Sequence, residues 1–190
     1  MSTLRLARAL GRIALVASTF TTVAAPVLAQ DNEFAAPLTE LGNTTLREIV
    51  ESPAVIAAIQ AQNATTSAYD QAKIDELDTQ WRAEVGAASK PLIDATLATE
   101  ASNGLFTEIF VMDAKGLNVA QSTVTSDYWQ GDEDKWQQTF PVGADAVHLG
   151  EIEQDESTQA FQSQVSITIV DPATGAPIGA VTAGVDLALL

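Results

Sequence analysis

Near residue 105 the spacing of apolar side chains changes from steps of three to five to alternation, and no other feature restricts the fold as much. Before the switch, Leu38, Leu41, Leu46, Ile49 and Val50 recur at helical steps over residues 38–61. Val55, Ile56 and Ile59 continue that stripe beyond Ser52-Pro53, a cap followed by a proline at the first helical position. The polar stretch 63–67 then separates this helix from a second, in which Ile74, Leu77, Trp81 and Val85 share one face. Asp78 and Arg82 form an i,i+4 pair on another, solvated face. Gly86 ends or bends this helix. Ser89-Lys90-Pro91 restarts a third with Leu92, Ile93, Thr96 and Leu97, closed by Asn103-Gly104.

After the switch the chain reads as strands. Residues 106–113 (FTEIFVMD) form a dense run of strand formers, and Ala114-Lys115-Gly116 turns them into residues 117–121 as a hairpin. Residues 147–154 make a third strand. Val165, Ile167 and Ile169 alternate with Gln164, Ser166 and Thr168, the pattern of a half-buried antiparallel strand. A turn at residues 171–175 leads into the last strand, residues 177–186. The expected fold class is α+β, with N-terminal helices packed on a five-stranded antiparallel sheet.

Composition narrows the function classes. Nine Lys and Arg stand against 25 Asp and Glu, a formal charge of −16, which disfavours nucleic acid and anionic lipid surfaces as partners. Cysteine is absent, so thiol catalysis and Cys-ligated zinc are excluded, and the single histidine, His148, excludes a multi-His metal site. Arg5, Arg8 and Arg12 precede an apolar stretch at residues 13–25, then Pro26 and the small residues Val27 and Ala29, the build of a secretory signal cut after Ala29. A retained anchor is the alternative. A secreted or periplasmic location follows as the expectation. The domain plan is a signal over 1–29, a helical segment over 30–66 and a sheet-bearing domain over 67–190.

The one long connection, residues 122–146, carries the chemistry. Tyr128, Trp129 and Trp136 are interleaved there with Asp127, Asp132, Glu133 and Asp134, and Asp132 can cap a short helix in which Trp136 and Phe140 lie one turn apart. Over a sheet such a segment would form a lid that closes a ligand cavity. With the order of helices, hairpin, long loop and three returning strands, the runs EIFVMDAKGLNVAQSTVTSDYWQGDEDKW and DESTQAFQSQVSITIVDPATGAPIGAVTAGVDL resemble the extracytoplasmic PAS-like sensor domains called Cache or PDC domains, in their single-Cache form. The resemblance spans residues 38–187. It implies a curved five-stranded sheet whose concave face, with the loop and short helix after the second strand, binds a small ligand. It places ligand positions on Ser126, Asp127, Tyr128, Trp129, Asp132 and Trp136, and on an acid of the last strand, Asp186. Most members are the outer halves of receptors, kinases or cyclases; here a signal with no following membrane helix implies a separate membrane receptor, kinase or transporter as partner. The amino-acid motif of the double-Cache members is unmatched, because Arg82 follows Trp81 with no tyrosine after it.

Other readings stay open. Rings and carboxylates favour a cationic or zwitterionic small-molecule ligand. A ligand-free module, using the stripe of residues 38–59 for homodimerisation or docking, is the rival, and divalent-cation sensing by the acidic loop is a third. The loop lacks the spacing of an EF-hand, and Asp132-Glu133-Asp134 reads first as an acidic helix start. Trp81 reads as core and His148 as an exposed or edge residue facing away from Val147 and Leu149. With no G-x-S-x-G elbow and no phosphate-cradling glycine loop, an enzyme is not expected, nor is a cofactor.

Overall fold

A computed structural model describes residues 33–84, 95–154 and 160–190. The signal at residues 1–29, Val85 and Gly86, the restart at Ser89-Lys90-Pro91 with Leu92 and Ile93, and Asp155 to Ser157 lie outside the described residues. Asn32–Leu190 forms one compact unit.

The first helical stretch runs as α1 (Ala35–Leu41), a π-helical turn (Gly42–Leu46) and α2 (Arg47–Val50), then restarts as α3 (Pro53–Thr66) with Pro53 at its first position. Gly42 is buried at the turn. A Cβ there would come within 2.9 Å of Val165 Cγ2, so glycine lets the backbone approach the sheet. The polar stretch at 63–67 does not end the helix as expected; α3 continues to Thr66. Sheet groups bind its polar side chains: Asn63 Nδ2 donates to the Ile178 carbonyl (2.7 Å), Asn63 Oδ1 accepts from the Ala114 amide, and Thr66 Oγ1 donates to Asp113 (2.8 Å). Next come α4 (Gln71–Ala83), capped by Asp70 at the Lys73 amide, and α5 (Ala95–Ala101).

Six strands follow: β1 (Phe106–Asp113), β2 (Asn118–Gln121), β3 (Val147–Leu149), β4 (Glu153–Gln154), β5 (Phe161–Val170) and β6 (Pro177–Asp186). All pairs are antiparallel, in the order β2-β1-β6-β5-β3, with β4 also on β5. The single strand expected at residues 147–154 is broken after Leu149, and β3 and β4 pair separately with β5; Gly150, at the break, still donates its amide to Gln164.

Register sorts the side chains into two faces, because residues directly opposite one another in an antiparallel pair point the same way. On one face Ile109, Val111, Val165, Ile167, Val181 and Ala183 pack with Leu38, Leu46, Val50, Val55, Ile59 and Leu97 in the main core. The stripe at residues 38–59 is therefore covered by the sheet, which corrects its expected use as a docking face. On the other face, rows run Thr168-Ala180-Met112-Asn118, then His148-Ser166-Thr182-Phe110-Gln121, then Gln164-Gly184-Glu108. Ser166 and Thr168 are fully buried, so β5 is covered on both sides, against the half-buried expectation. The cover includes α6 (Asp134–Gln137) and the loop around it: Trp136 and Phe140 stack at 5.4 Å and pack on Phe110, Met112 and Ala180. The cap of α6 is Glu133, one residue later than expected, and its side chain makes no capping bond.

Candidate functional site

Between the polar face of the sheet and the segment before and within α6 lies a cavity of about 600 Å³. Glu108, Gln162 and Gln164 line it from the sheet, Asp132 to Lys135 from the lid, and His148, Glu151 and Glu153 from the β3–β4 edge. Six carboxylates therefore face two basic side chains. Lys135 is already engaged, 2.8 Å from Glu133 and with its ammonium 5.4 Å from the centre of the Phe110 ring. Gln164 Nε2 donates to Glu108 Oε1 at 2.9 Å, fixing one oxygen of that carboxylate. A space of this size and sign suits a polar molecule that carries positive charge.

The lid loop is fastened on two sides. On the hairpin side the Asn118 amide donates to the Tyr128 carbonyl (2.9 Å), the Gln130 amide to the Gly116 carbonyl (2.8 Å), and Trp129 Nε1 to the Lys115 carbonyl (2.8 Å). Gly116 has φ +81°, and a Cβ on it would strike the Gly131 backbone, so the turn and the loop touch only because both are glycine there. On the helix side Asp78 Oδ1 accepts the backbone amides of Tyr128 (2.8 Å) and Trp129 (3.0 Å). Its Oδ2 accepts from Arg82 Nε at 2.7 Å, and Arg82 Nη1 lies 3.0 Å from Asp127. Trp81 stacks on Tyr128 with ring centres 5.4 Å apart and donates from Nε1 to the Thr125 carbonyl.

The pair Asp78–Arg82 is present as expected, with Arg82 exposed to solvent, but its Asp78 end is buried. The buried positions of α4 are Ile74, Asp78 and Trp81, and Leu77 is only half-buried. The acid sits where a helix reader expects an apolar residue, because its partners are two amides fifty residues away. The Asp78 hydrogen bond raises the Arg82 guanidinium pKa further. Burial, aided by the charge of Asp113, pushes the Tyr128 phenol up to about 12.

Of the residues expected at the ligand, Asp132 lines the cavity. Ser126 is exposed and donates to Asp127; Asp127, Tyr128 and Trp129 form the fastenings just described. Trp136 donates to the Asp113 carbonyl (3.2 Å) and packs over Phe110. Asp186 pairs in register with Gln162 and accepts the Ala188 amide at 2.9 Å. Sequence reasoning did not single out Glu108, Gln164, Glu151 or Glu153. Alternation marked Gln164 as a polar-face position, while Glu108 lay within a run read only as dense in strand formers, and only the distant lid turns their face inward. His148 does face away from Val147 and Leu149, but it is half-buried in the cavity wall. Among the described residues, no three His, Asp or Glu side chains are placed to share a metal ion, and no helix is long and apolar enough to cross a membrane.

No family model matches the chain, and no curated protein does. Among solved structures it is similar to the extracellular domain of a protein described as a histidine kinase, at 9% identity and TM-score 0.50, with 81% of this chain and 53% of that one covered. A second such domain aligns at 14% identity over 80% of this chain and 59% of that one, with TM-score 0.38. The ligand-binding domain of an amino-acid chemoreceptor of Pseudomonas aeruginosa, solved with GABA, aligns at 12% identity over 80% and 61%, with TM-score 0.39. The chain spans about half the length of the first of these.

Proposed function

We propose, from a chain with the PAS-like fold of extracellular sensor domains, that this protein binds a small molecule between its sheet and its lid and reports the bound state to a membrane-borne partner. One observation carries the reading: the cavity is lined by Asp132 to Lys135 of the long connection on one side and by Glu108, Gln162 and Gln164 of the sheet on the other. The ligand is a cation or a zwitterion presenting its ammonium group. Tyr128, Trp129 and Trp136 are engaged elsewhere, so recognition rests on carboxylates and amide oxygens that accept N–H bonds. Protonated primary and secondary amines, which donate such bonds, are favoured over quaternary ammonium groups, which cannot and would need an aromatic cage. The partner is a separate receptor, kinase or transporter, and the protein acts outside the cytoplasmic membrane after cleavage at Ala29. Binding, and not chemical conversion, is its task.

A thermal-shift screen of the full chain against putrescine, spermidine, betaine, amino acids and dicarboxylates tests this. An amine at about 100 times its dissociation constant should add about 2.7 kcal/mol, several degrees for a domain of this size. A shift by dicarboxylates with none by amines would overturn the ligand class, and silence across the panel would overturn the sensor reading. Intact-mass measurement of the exported protein, expected to begin at Gln30, checks the location.

A further inference from the structure

We infer that Asp78 is a positioning residue that makes the lid loop and α4 one moving part, so that displacement of the lid at the cavity is delivered to α4. This deepens the sensor reading and rests on it for its purpose. The mechanical claim stands on geometry that needs no ligand.

Three contacts of different kinds join the same two segments. A buried carboxylate, 7% exposed, takes two successive lid amides on one oxygen; an indole N–H reaches the Thr125 carbonyl; and the Trp81 ring stacks on Tyr128. Arg82 closes the set by bridging the other oxygen of Asp78 and the Asp127 carboxylate. Lifting residues 125–129 while α4 stays in place would strip two amides from a buried charge, and that strongly disfavours the uncoupled movement. Moving both together keeps these bonds and gives up instead those that tie the same loop to the hairpin, from Asn118 to Thr125, Asp127 and Tyr128, from Gln130 to Gly116 and from Trp129 to Lys115. The same carboxylate has no role in helix capping, which Asp70 performs eight residues earlier.

Amide hydrogen exchange on the full chain, without ligand, reads this directly. In the parent protein the Tyr128 and Trp129 amides and those of the second half of α4 should open with one common equilibrium constant, distinct from that of the β5–β6 pair. Asp78→Ala should speed exchange in both segments together by tenfold or more and leave β5 and β6 unchanged. Asp78→Asn, which keeps an acceptor oxygen, should recover much of the protection. The sign is diagnostic, because alanine is a better helix former than aspartate and would slow exchange in a free-standing α4. Should Asp78→Ala not fold, Trp81→Phe, which keeps the ring but removes the donor to Thr125, should speed both segments by a common factor. Faster lid amides with α4 unchanged or slower, in either variant, would overturn the coupling. Because no ligand is used, that failure is distinct from a silent amine screen, which bears on the cavity alone.

Discussion

The two faces of the sheet are made by the same strands and differ in almost every physical respect. The helix-covered face is aliphatic and sits in a continuous core with α1, α3 and α5. The lid-covered face holds Ser166, Thr168, Thr182, Asn118 and Gln121, all fully buried, around a small cluster of Phe110, Met112 and Ala180. Buried side-chain atoms without a hydrogen-bond partner among the described residues are Asn118 Oδ1, Gln121 Nε2 and Thr168 Oγ1, and register puts all three on the lid face. Burying a polar atom unpaired costs free energy that an aliphatic residue would not incur. One face is therefore composed for stability, and the other gives up stability to keep polar groups under a cover.

Breaking the stable face should have the largest effect. Ile167→Ala, at a fully buried position on the helix side, should cost about 2–5 kcal/mol in chemical denaturation. Gly42→Ala should cost about 1–3 kcal/mol, because the added methyl meets Val165 and Ile167 where the π-helical turn lies against the sheet. On the opposite face Thr168→Val removes an unpartnered hydroxyl at nearly constant volume. It should leave stability within about 1 kcal/mol of the parent, or raise it. A loss as large as that of Ile167→Ala would erase the contrast.

The lid adds a pH test. The fold favours the neutral Tyr128 phenol, whose pKa lies near 12 against an ordinary 10, so above pH 10 the unfolded chain binds fewer protons than the folded one. Stability should therefore be fully present below pH 10 and decline as pH rises toward about 12. In an ultraviolet titration Tyr128→Phe should remove an ionisation step near pH 12.

How much was legible in the sequence follows the same division. Periodicity located β1, β5, β6, the hairpin and the helical stripe, because each is a local pattern facing an aliphatic core. It missed whatever depends on a remote partner. Asn63 and Thr66 read as a linker until Ala114, Ile178 and Asp113 bind them, and Asp78 read as a solvent-side pair until the Tyr128 and Trp129 amides meet it. In the candidate site the lid itself was evident from its length and its rings. That those rings would fasten the lid, leaving carboxylates to line the cavity, was not, since Glu108 and Glu153 become neighbours of Asp132 only through strand register and the fold of the connection.

The central claim is that the lid face is a binding surface for an amine, and calorimetric titration of spermidine into the full chain tests it most directly. Parallel titrations would use a Glu108→Gln, Asp132→Asn variant and a Glu40→Gln control on the exposed surface of α1. The expected result is saturable binding, weakened tenfold or more in the cavity variant and unchanged in the control. Equal weakening in both variants would mean diffuse attraction to an acidic protein, and no saturable heat with the parent chain would contradict the claim.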